Sequence, residues 1–437
     1  MTAIRKVSVA VLSWNGRHHL ETCLEALAGQ QDSRVEWEVL VLDNGSTDGT
    51  AAWMRQRWGR HPRVRLVESP VNLGFCAGNN RLAAAADGDA VAFLNNDTRP
   101  EPGWLGALVE TLAAAPADVA AVSGKIVDWD GERLDFGRGA MTFDGHAFQL
   151  DFRRPLAAAR LPAAGEELPF ACGGNMLVRR ASFLAAGGFD ESYFAYLEDV
   201  DLGWRLWSGG ERVVCAPEAA VRHRSSATSD LLGLFNRGSL FERNAFLTAY
   251  KNYEPGLWER MMPAVMLTLT SRTQALLESN PGAELLRVDP YAGHIANTGG
   301  HGPAAIELPP ATTWEGFRIR WRGYGPREFL RRGLRKVGMG GAPASAVPPR
   351  ISDERTVAQL RALHWLVSHL DETAKVRAGV QHRRRRSDRE IFERFPLYLV
   401  PTYPGDQTLF ASPGFQAWLP EDLPLVRATL EEIMEMG

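Results

Sequence analysis

The stretch Val39-Leu40-Val41-Leu42-Asp43-Asn44-Gly45-Ser46-Thr47-Asp48-Gly49 passes from an apolar run into a polar turn, and a helix-like segment, Thr50–Trp58, follows it. Asp, Asn, Gly and Ser end strands because they satisfy turn geometry locally. The same three-part pattern recurs along the first hundred residues. Val7–Leu12 ends in Ser13-Trp14-Asn15-Gly16 before the helical pattern His19–Ala28. Val64–Val67 leads to Asn72-Leu73-Gly74-Phe75 before Ala77–Ala86, and Ala90–Leu94 ends in Asn95-Asn96-Asp97 before Trp104–Ala113. Strands alternating with helices of this length predict an α/β fold, a mostly parallel sheet flanked by helices. Such sheets bind ligands beyond the carboxyl ends of their strands, so the four polar strand ends are expected to form one rim.

The whole chain has 437 residues, 45% hydrophobic and 23% charged, with a formal net charge of −3. That balance lacks the basic excess of a nucleic-acid binder, so no nucleic acid is expected as a partner. Cys23, Cys76, Cys172 and Cys215 lie far apart and form no C-x-x-C pair, which predicts small buried apolar residues rather than a zinc knuckle or a disulfide framework. No window reaches the ~18 uncharged apolar residues of a membrane span. Met1–Lys6 leads straight into a strand without a charged-then-apolar leader. A cytoplasmic protein is the expectation.

A second block runs from Phe170 to Arg224. It contains Gly173-Gly174-Asn175, Gly187-Gly188-Phe189-Asp190-Glu191, an acidic helix start at Glu198-Asp199-Val200-Asp201-Leu202-Gly203-Trp204-Arg205, and Arg222-His223-Arg224. Together with the strand ends, and with Arg243-Asn244 and Lys251-Asn252, these stretches follow the order of motifs in one known family. The sequence resembles the inverting nucleotide-sugar glycosyltransferases of family two, which have the GT-A fold, and in particular rhamnosyltransferase-like and galactofuranosyltransferase-like members. The resemblance covers roughly residues 7–252, a single-domain length. It implies a GT-A domain over 1–252 and leaves 253–437 as a mainly helical C-terminal extension.

The resemblance implies roles residue by residue. Asp43 is expected to accept the imide N–H of uracil or thymine, a charge-assisted bond that selects a pyrimidine. The rim residues Ser13, Asn15, Asn72, Gly74 and Asn96 are expected around the nucleotide. Asn95-Asn96-Asp97 stands where the family has its D-x-D motif, and only Asp97 offers a charged ligand there. Asp97 and His223 are expected to hold Mg²⁺ or Mn²⁺, which neutralises a departing nucleoside diphosphate. Read as sequence alone, Asp97 or Thr98 could equally cap the helix at Trp104, and Asp43 could be a plain turn residue.

Inversion at an anomeric carbon needs a base on the face opposite the leaving group. The family pattern assigns that base to the Asp of Glu-Asp, hence Asp199, with Glu198 in support. Asp201 reads as an acid suited to the helix dipole. Arg205 lies one helical turn beyond, within reach of Asp201 or Asp199, beside Trp204. Gly174 and Asn175 are expected at the acceptor mouth.

The expected substrates are a UDP- or dTDP-sugar donor and a glycan, lipid-linked or small-molecule acceptor. In the C-terminal third, Arg383-Arg384-Arg385-Arg386 and Arg331-Arg332…Arg335-Lys336 read as solvated charge, with contact to anionic lipid at the inner face of a membrane as the functional alternative. The helical stretch Leu257–Leu277 suits packing on the catalytic domain, an interfacial position, or a homodimer contact. Two other readings stay open: a nucleotidyltransferase that makes activated sugars, and a non-catalytic nucleotide-sugar or glycan binding module.

Overall fold

The computed structural model describes residues 4–30, 35–224, 234–277, 353–403 and 405–435. Its first half follows the predicted alternation: β1 (Lys6–Ser13), α1 (Arg17–Ala28), β2 (Glu36–Asn44), α2 (Thr50–Arg57), β3 (Val64–Ser69), α3 (Gly74–Ala85) and β4 (Ala90–Asn95). Then come β5 (Thr98–Pro100), α4 (Trp104–Ala114), β6 (Val119–Asp128), β7 (Leu134–Phe136), β8 (Gly139–Met141) and β9 (Ala147–Gln149). The second motif block forms β10 (Asn175–Arg179), α5 (Arg180–Ala185), α6 (Glu198–Ser208) and β11 (Arg212–His223). The helices follow the apolar period: α1 buries Leu20, Cys23, Leu24 and Leu27, one stripe that faces the sheet.

The main sheet runs β3-β2-β1-β4-β10-β6-β11-β5, with β7 beside β6. Strands β3, β2, β1 and β4 are parallel, as are β6 and β11. Strand β10 is antiparallel to both of its neighbours. The chain winds one way from β1 through β2 to β3, and then returns to the other side of β1 as β4. A crevice opens at the carboxyl ends where the winding direction changes. Because β10 runs the other way, its amino end, with Gly173 and Gly174 before it, joins that same rim. Strand β5 pairs antiparallel with β11, and His223 stands opposite Thr98. This register sets His223 beside Asp97 although the two are far apart in sequence.

The C-terminal part is mainly helical among the described residues: α7 (Leu234–Asn252), α8 (Pro255–Leu277), α9 (Asp353–Ser368), α10 (Leu370–Arg383), α11 (Asp388–Arg394), α12 (Asp406–Ala411), α13 (Pro413–Gln416) and α14 (Leu430–Glu435). Two short strands, β12 (Leu397–Leu399) and β13 (Leu425–Arg427), pair in parallel. Leu257, Met261, Leu366, Ile391 and Phe392 join the same apolar cluster as the sheet. The stretch Phe395–Phe415 contains β12, α12 and most of α13, and Phe410 and Phe415 are buried against Phe143. On α8, Met261 is buried while Met262, Met266 and Leu267 are exposed. No helix among the described residues is long and apolar enough to cross a membrane.

The basic run is not simply solvated charge. Arg384 donates to Asp388 at 2.9 Å, and Arg386 donates to the carbonyls of Trp207 and Glu211 at 2.9 and 3.1 Å. Both side chains are half-buried: Arg386 fastens the C-terminal part to α6, Arg384 ties Asp388 to the end of α7 at Asn252, and Arg383 and Arg385 stay exposed. The second basic group, Arg331–Lys336, lies outside the described residues.

Candidate active site

A cavity of about 370 Å³ occupies the crevice at the strand ends. Of the residues singled out from sequence, Asn72, Gly74, Asn96, Asp97, Gly174, Glu198, Asp199 and His223 line it, together with Trp14, Asn44 and Phe75. Gly74 has φ 79°, and a β-carbon there would stand 2.5 Å from the Phe194 ring, so glycine lets α3 begin against the cavity wall. A β-carbon on Gly174 would likewise stand 2.7 Å from the Asn95 amide.

The residues expected around the nucleotide are tied to one another. Asn96 donates to the Ser13 hydroxyl at 3.0 Å, and Ser13 is fully buried, so it anchors the β4 loop rather than facing the cavity. Asn15, at φ 50°, accepts from the Thr47 N–H at 2.8 Å, while its own N–H donates to Ser46 at 2.9 Å. Asn72 accepts from Asn44 at 2.9 Å and from the Gly74 N–H at 2.8 Å. Asp43 stands in register with Ser13 at the end of β2 and accepts a 3.3 Å bond from the Ser46 N–H. Burial raises its carboxyl above the usual range, partly offset by hydrogen bonds from Ser46. Asp43 itself does not line the cavity; its neighbour Asn44 does.

On the opposite wall, His223 Nε2 lies 3.4 Å from Asp97 Oδ1, and its Nδ1 lies 2.8 Å from Asp135 Oδ2. Burial by itself lowers the imidazole, but hydrogen bonds to Asp135 and Asp97 outweigh it and push the group up to about 10. Asp135, on β7, was not found by sequence reading, since Leu-Asp-Phe in an irregular stretch carries no signal. It sets the ring orientation of His223, as a carboxylate behind a histidine ligand does.

Asp199 sits in the first turn of α6, half-buried, on the wall of the cavity. Its Oδ2 accepts from the Gly173 N–H and its Oδ1 from the Val200 N–H, both at 2.9 Å. The carboxylate is therefore fixed, and each oxygen keeps a second lone pair. Burial raises Asp199 above the ordinary range against those two bonds. Glu198 is raised further, first by burial and then by the neighbouring Asp199 charge. Glu198 Oε2 is buried and has no hydrogen-bond partner among the described residues.

The loop before α6 is strained: Phe194, Tyr196 and Leu197 have φ of 62°, 74° and 63°. Asn244 on α7 holds it, donating to the carbonyls of Tyr193, Ala195 and Tyr196 at 3.0, 2.8 and 2.8 Å. Arg243 donates to Ser192 and Tyr193 carbonyls at 2.7 and 3.0 Å. This is the structural content of the Arg243-Asn244 motif.

Lys251-Asn252 acts one helical stretch later. Asp201, expected as a mere partner of the helix dipole, is instead fully buried and shared by Arg205 at 2.8 Å, Lys251 at 3.1 Å and Asn252 at 2.8 Å. Arg205 thus bonds Asp201, not Asp199, and also the Ala186 carbonyl at 2.7 Å. Trp204 is fully buried and donates to Asp388 at 3.1 Å. Asn175 is fully buried too. Its amide bonds Trp104, Lys125 and Ala219, so it braces the sheet instead of lining an acceptor mouth. Cys23, Cys76 and Cys215 are free and buried, as expected; Cys172 is half-buried and lines the cavity.

A sequence model of the glycosyl transferase family 2 matches residues 8–185. The chain is 35% identical over 242 residues to an N-acetylglucosaminyl-diphospho-decaprenol L-rhamnosyltransferase of Mycobacterium tuberculosis, covering 50% of this chain and 76% of that one. It is 30% identical over 296 residues to the O-antigen biosynthesis protein RfbC of Myxococcus xanthus, covering 65% of this chain and 22% of that one. A mannosyltransferase from Pyrobaculum calidifontis, solved with GDP-Man and Mn²⁺, superposes with a TM-score of 0.43 at 17% identity, over 85% of this chain and 88% of that one.

Proposed function

The chain belongs to the glycosyl transferase family 2 and is a glycosyltransferase of the GT-A type, and on that premise we propose that it inverts the anomeric centre of a UDP- or dTDP-sugar with Asp199 as general base. One observation carries this reading: a carboxylate fixed by two backbone N–H groups, raised by burial, on the wall of the strand-end cavity. A raised carboxyl is a better base than an ordinary one at neutral pH. It takes the proton of the incoming hydroxyl as the oxygen attacks the anomeric carbon, and the nucleoside diphosphate leaves with the electron pair of the broken C–O bond. The relative's L-rhamnosyl activity supports a deoxyhexose as the transferred sugar. On this reading residues 1–252 carry the donor site and the base, and the described C-terminal helices pack on them through Leu257, Met261, Leu366, Ile391 and Phe392.

The donor set of Asp97 and His223 fits Mg²⁺ or Mn²⁺ as an ion that keeps water and takes substrate phosphate oxygens. Among the described residues no group of three or more His, Cys, Asp and Glu side chains forms an all-protein cage. Asp97 and His223 would hold the ion, with Asp135 orienting the imidazole, and the ion would neutralise the leaving diphosphate. Asp43 would accept the imide N–H of the base. The rival readings, a nucleotidyltransferase and a binding module, give Asp199 no proton to remove.

Asp199→Asn keeps the shape and cannot accept a proton at neutral pH. Transfer is expected to fall by about 10²–10⁴-fold with donor affinity unchanged. In the wild type, turnover is expected to fall on the acid side at a pH above the ordinary aspartate range, because the base must be ionised. Turnover near wild type in Asp199→Asn, or a product of retained configuration, overturns the mechanism.

A further inference from the structure

Asp199 also lines a second cavity, of about 320 Å³. The two cavities share Cys172, Leu197 and Asp199. Beyond these the second is walled mainly by carbon, including Phe136, Phe148, Phe152, Phe170 and Ile433. Gln149 is the other polar side chain on its wall. Its outer wall belongs to α14, which is fastened there: Ile433 is fully buried and its carbonyl accepts a 3.3 Å bond from the Asp151 N–H.

In an inverting displacement the nucleophile enters opposite the leaving group, so donor and acceptor must reach the base from different sides. The first cavity has Asp97 and His223 on its wall and suits the diphosphate. Resting on the reading of Asp199 as the base, we propose that the second cavity is the acceptor site and takes an acceptor whose reacting hydroxyl sits on a compact, ring-bearing apolar body.

The wall chemistry selects that class. A free sugar could lay one C–H face on a ring, but Asp199 and Gln149 are the polar side chains on this wall for its several hydroxyls, and buried hydroxyls without partners are costly. Flat rings pack edge-to-face or offset against such a wall. The volume is at the small end of ligand cavities, roughly 300–1,000 Å³, which suits a ring system better than a long chain. Transfer then forms the bond from the acceptor oxygen to the anomeric carbon and breaks the bond to the diphosphate. The hydroxyl proton passes to Asp199 and the electron pair leaves with the nucleotide.

The test titrates the full-length protein with three hydroxyl compounds: 2-naphthol, 1-octanol and methyl α-D-glucopyranoside. Binding is read by saturation-transfer NMR, with and without saturating UDP or dTDP. We expect 2-naphthol to bind at least about tenfold tighter than the glucoside, from the burial of its rings. Ala147→Trp, which fills the cavity, and Phe148→Ser, which removes a ring from its wall, should each weaken 2-naphthol by about tenfold in protein whose cooperative thermal unfolding shows it is still folded. Nucleotide affinity should stay as in the wild type. A glucoside that binds as well as 2-naphthol overturns the proposal, as does a folded Ala147→Trp that binds 2-naphthol normally. Tighter binding of 1-octanol assigns the cavity to an alkyl chain and overturns the ring-bearing class. The nucleotide titration reads the donor site separately, so its failure is distinct from failure of the acceptor site.

Discussion

Asp43, Asp97 and Asp199 are chemically alike, and their surroundings separate their tasks. Asp43 is buried at the end of β2 with the Ser46 N–H and, in the proposed role, one nucleobase N–H as partners. Asp43→Ala should weaken UDP or dTDP binding by roughly 1.5–3 kcal/mol, the value of one charged hydrogen bond, and leave ADP binding unchanged. Calorimetry giving equal affinities for UDP and ADP in the wild type would remove the basis for this role. Asp97 touches His223 instead, at 3.4 Å. Activity should disappear in chelator and return with Mg²⁺ or Mn²⁺, and Asp97→Ala should lose more than His223→Ala, because the carboxylate brings the charge. Full turnover in chelator would leave Asp97 as a partner of His223 alone. Asp97, Asp199 and His223 were legible because they stand in ordered motifs at predicted element ends. Asp135 was not, because its importance comes only from the β6–β7 pairing that brings it to His223.

Helix α6 carries Asp199, the proposed base, and its fixings run through residues that do not line the cavity. Asp201 bonds Arg205 within the helix and Lys251 and Asn252 from α7. Lys251 also meets Asp190, whose carboxyl lies below the usual range because the lysine charge outweighs the cost of burial. Replacing Asp201 by Asn leaves two buried cations with less compensation. Breaking one side of a buried pair costs about 3–5 kcal/mol, whereas a helix-dipole contact is worth about 0.3–1. Urea unfolding of Asp201→Asn should therefore show the larger loss, and a change below about 1 kcal/mol would return Asp201 to the dipole role. The sequence placed the helix correctly within its acidic start. The family pattern set Asp199 apart from Asp201 but left Asp201 only a dipole role, because both fall in the first turn and only the packing of α7 brings Lys251 and Asn252 to Asp201.

Across the molecule, a second buried ionic cluster joins the β8–β9 region to the C-terminal helices. His146 lies 3.2 Å from Asp144 and 3.6 Å from Glu242, and Arg272 on α8 reaches Asp144 and Asp406 at 3.2 and 2.8 Å. Burial lowers His146, but Asp144 and Glu242 outweigh it and push it up to about 9 from 6.5. Because the folded value is the higher one, His146 contributes stability that is complete below about 6.5 and is lost as pH rises through about 9. The melting temperature should fall across that window, and His146→Gln should flatten the fall; an identical slope in the variant would sink the assignment. This cluster borders the proposed acceptor cavity, since Ala147 and Phe241 line that cavity beside His146 and Glu242. By itself the sequence determined the alternating sheet, its polar rim and the order of the motif residues, because apolar period and turn chemistry act over a few neighbours. Only the tertiary structure decided that Asn175 faces inward, that Arg384 and Arg386 fasten helices, and that α14 closes a cavity on Asp199. Those outcomes depend on which surfaces meet after folding, and burial and charge pairing between distant segments leave no periodic trace in the chain.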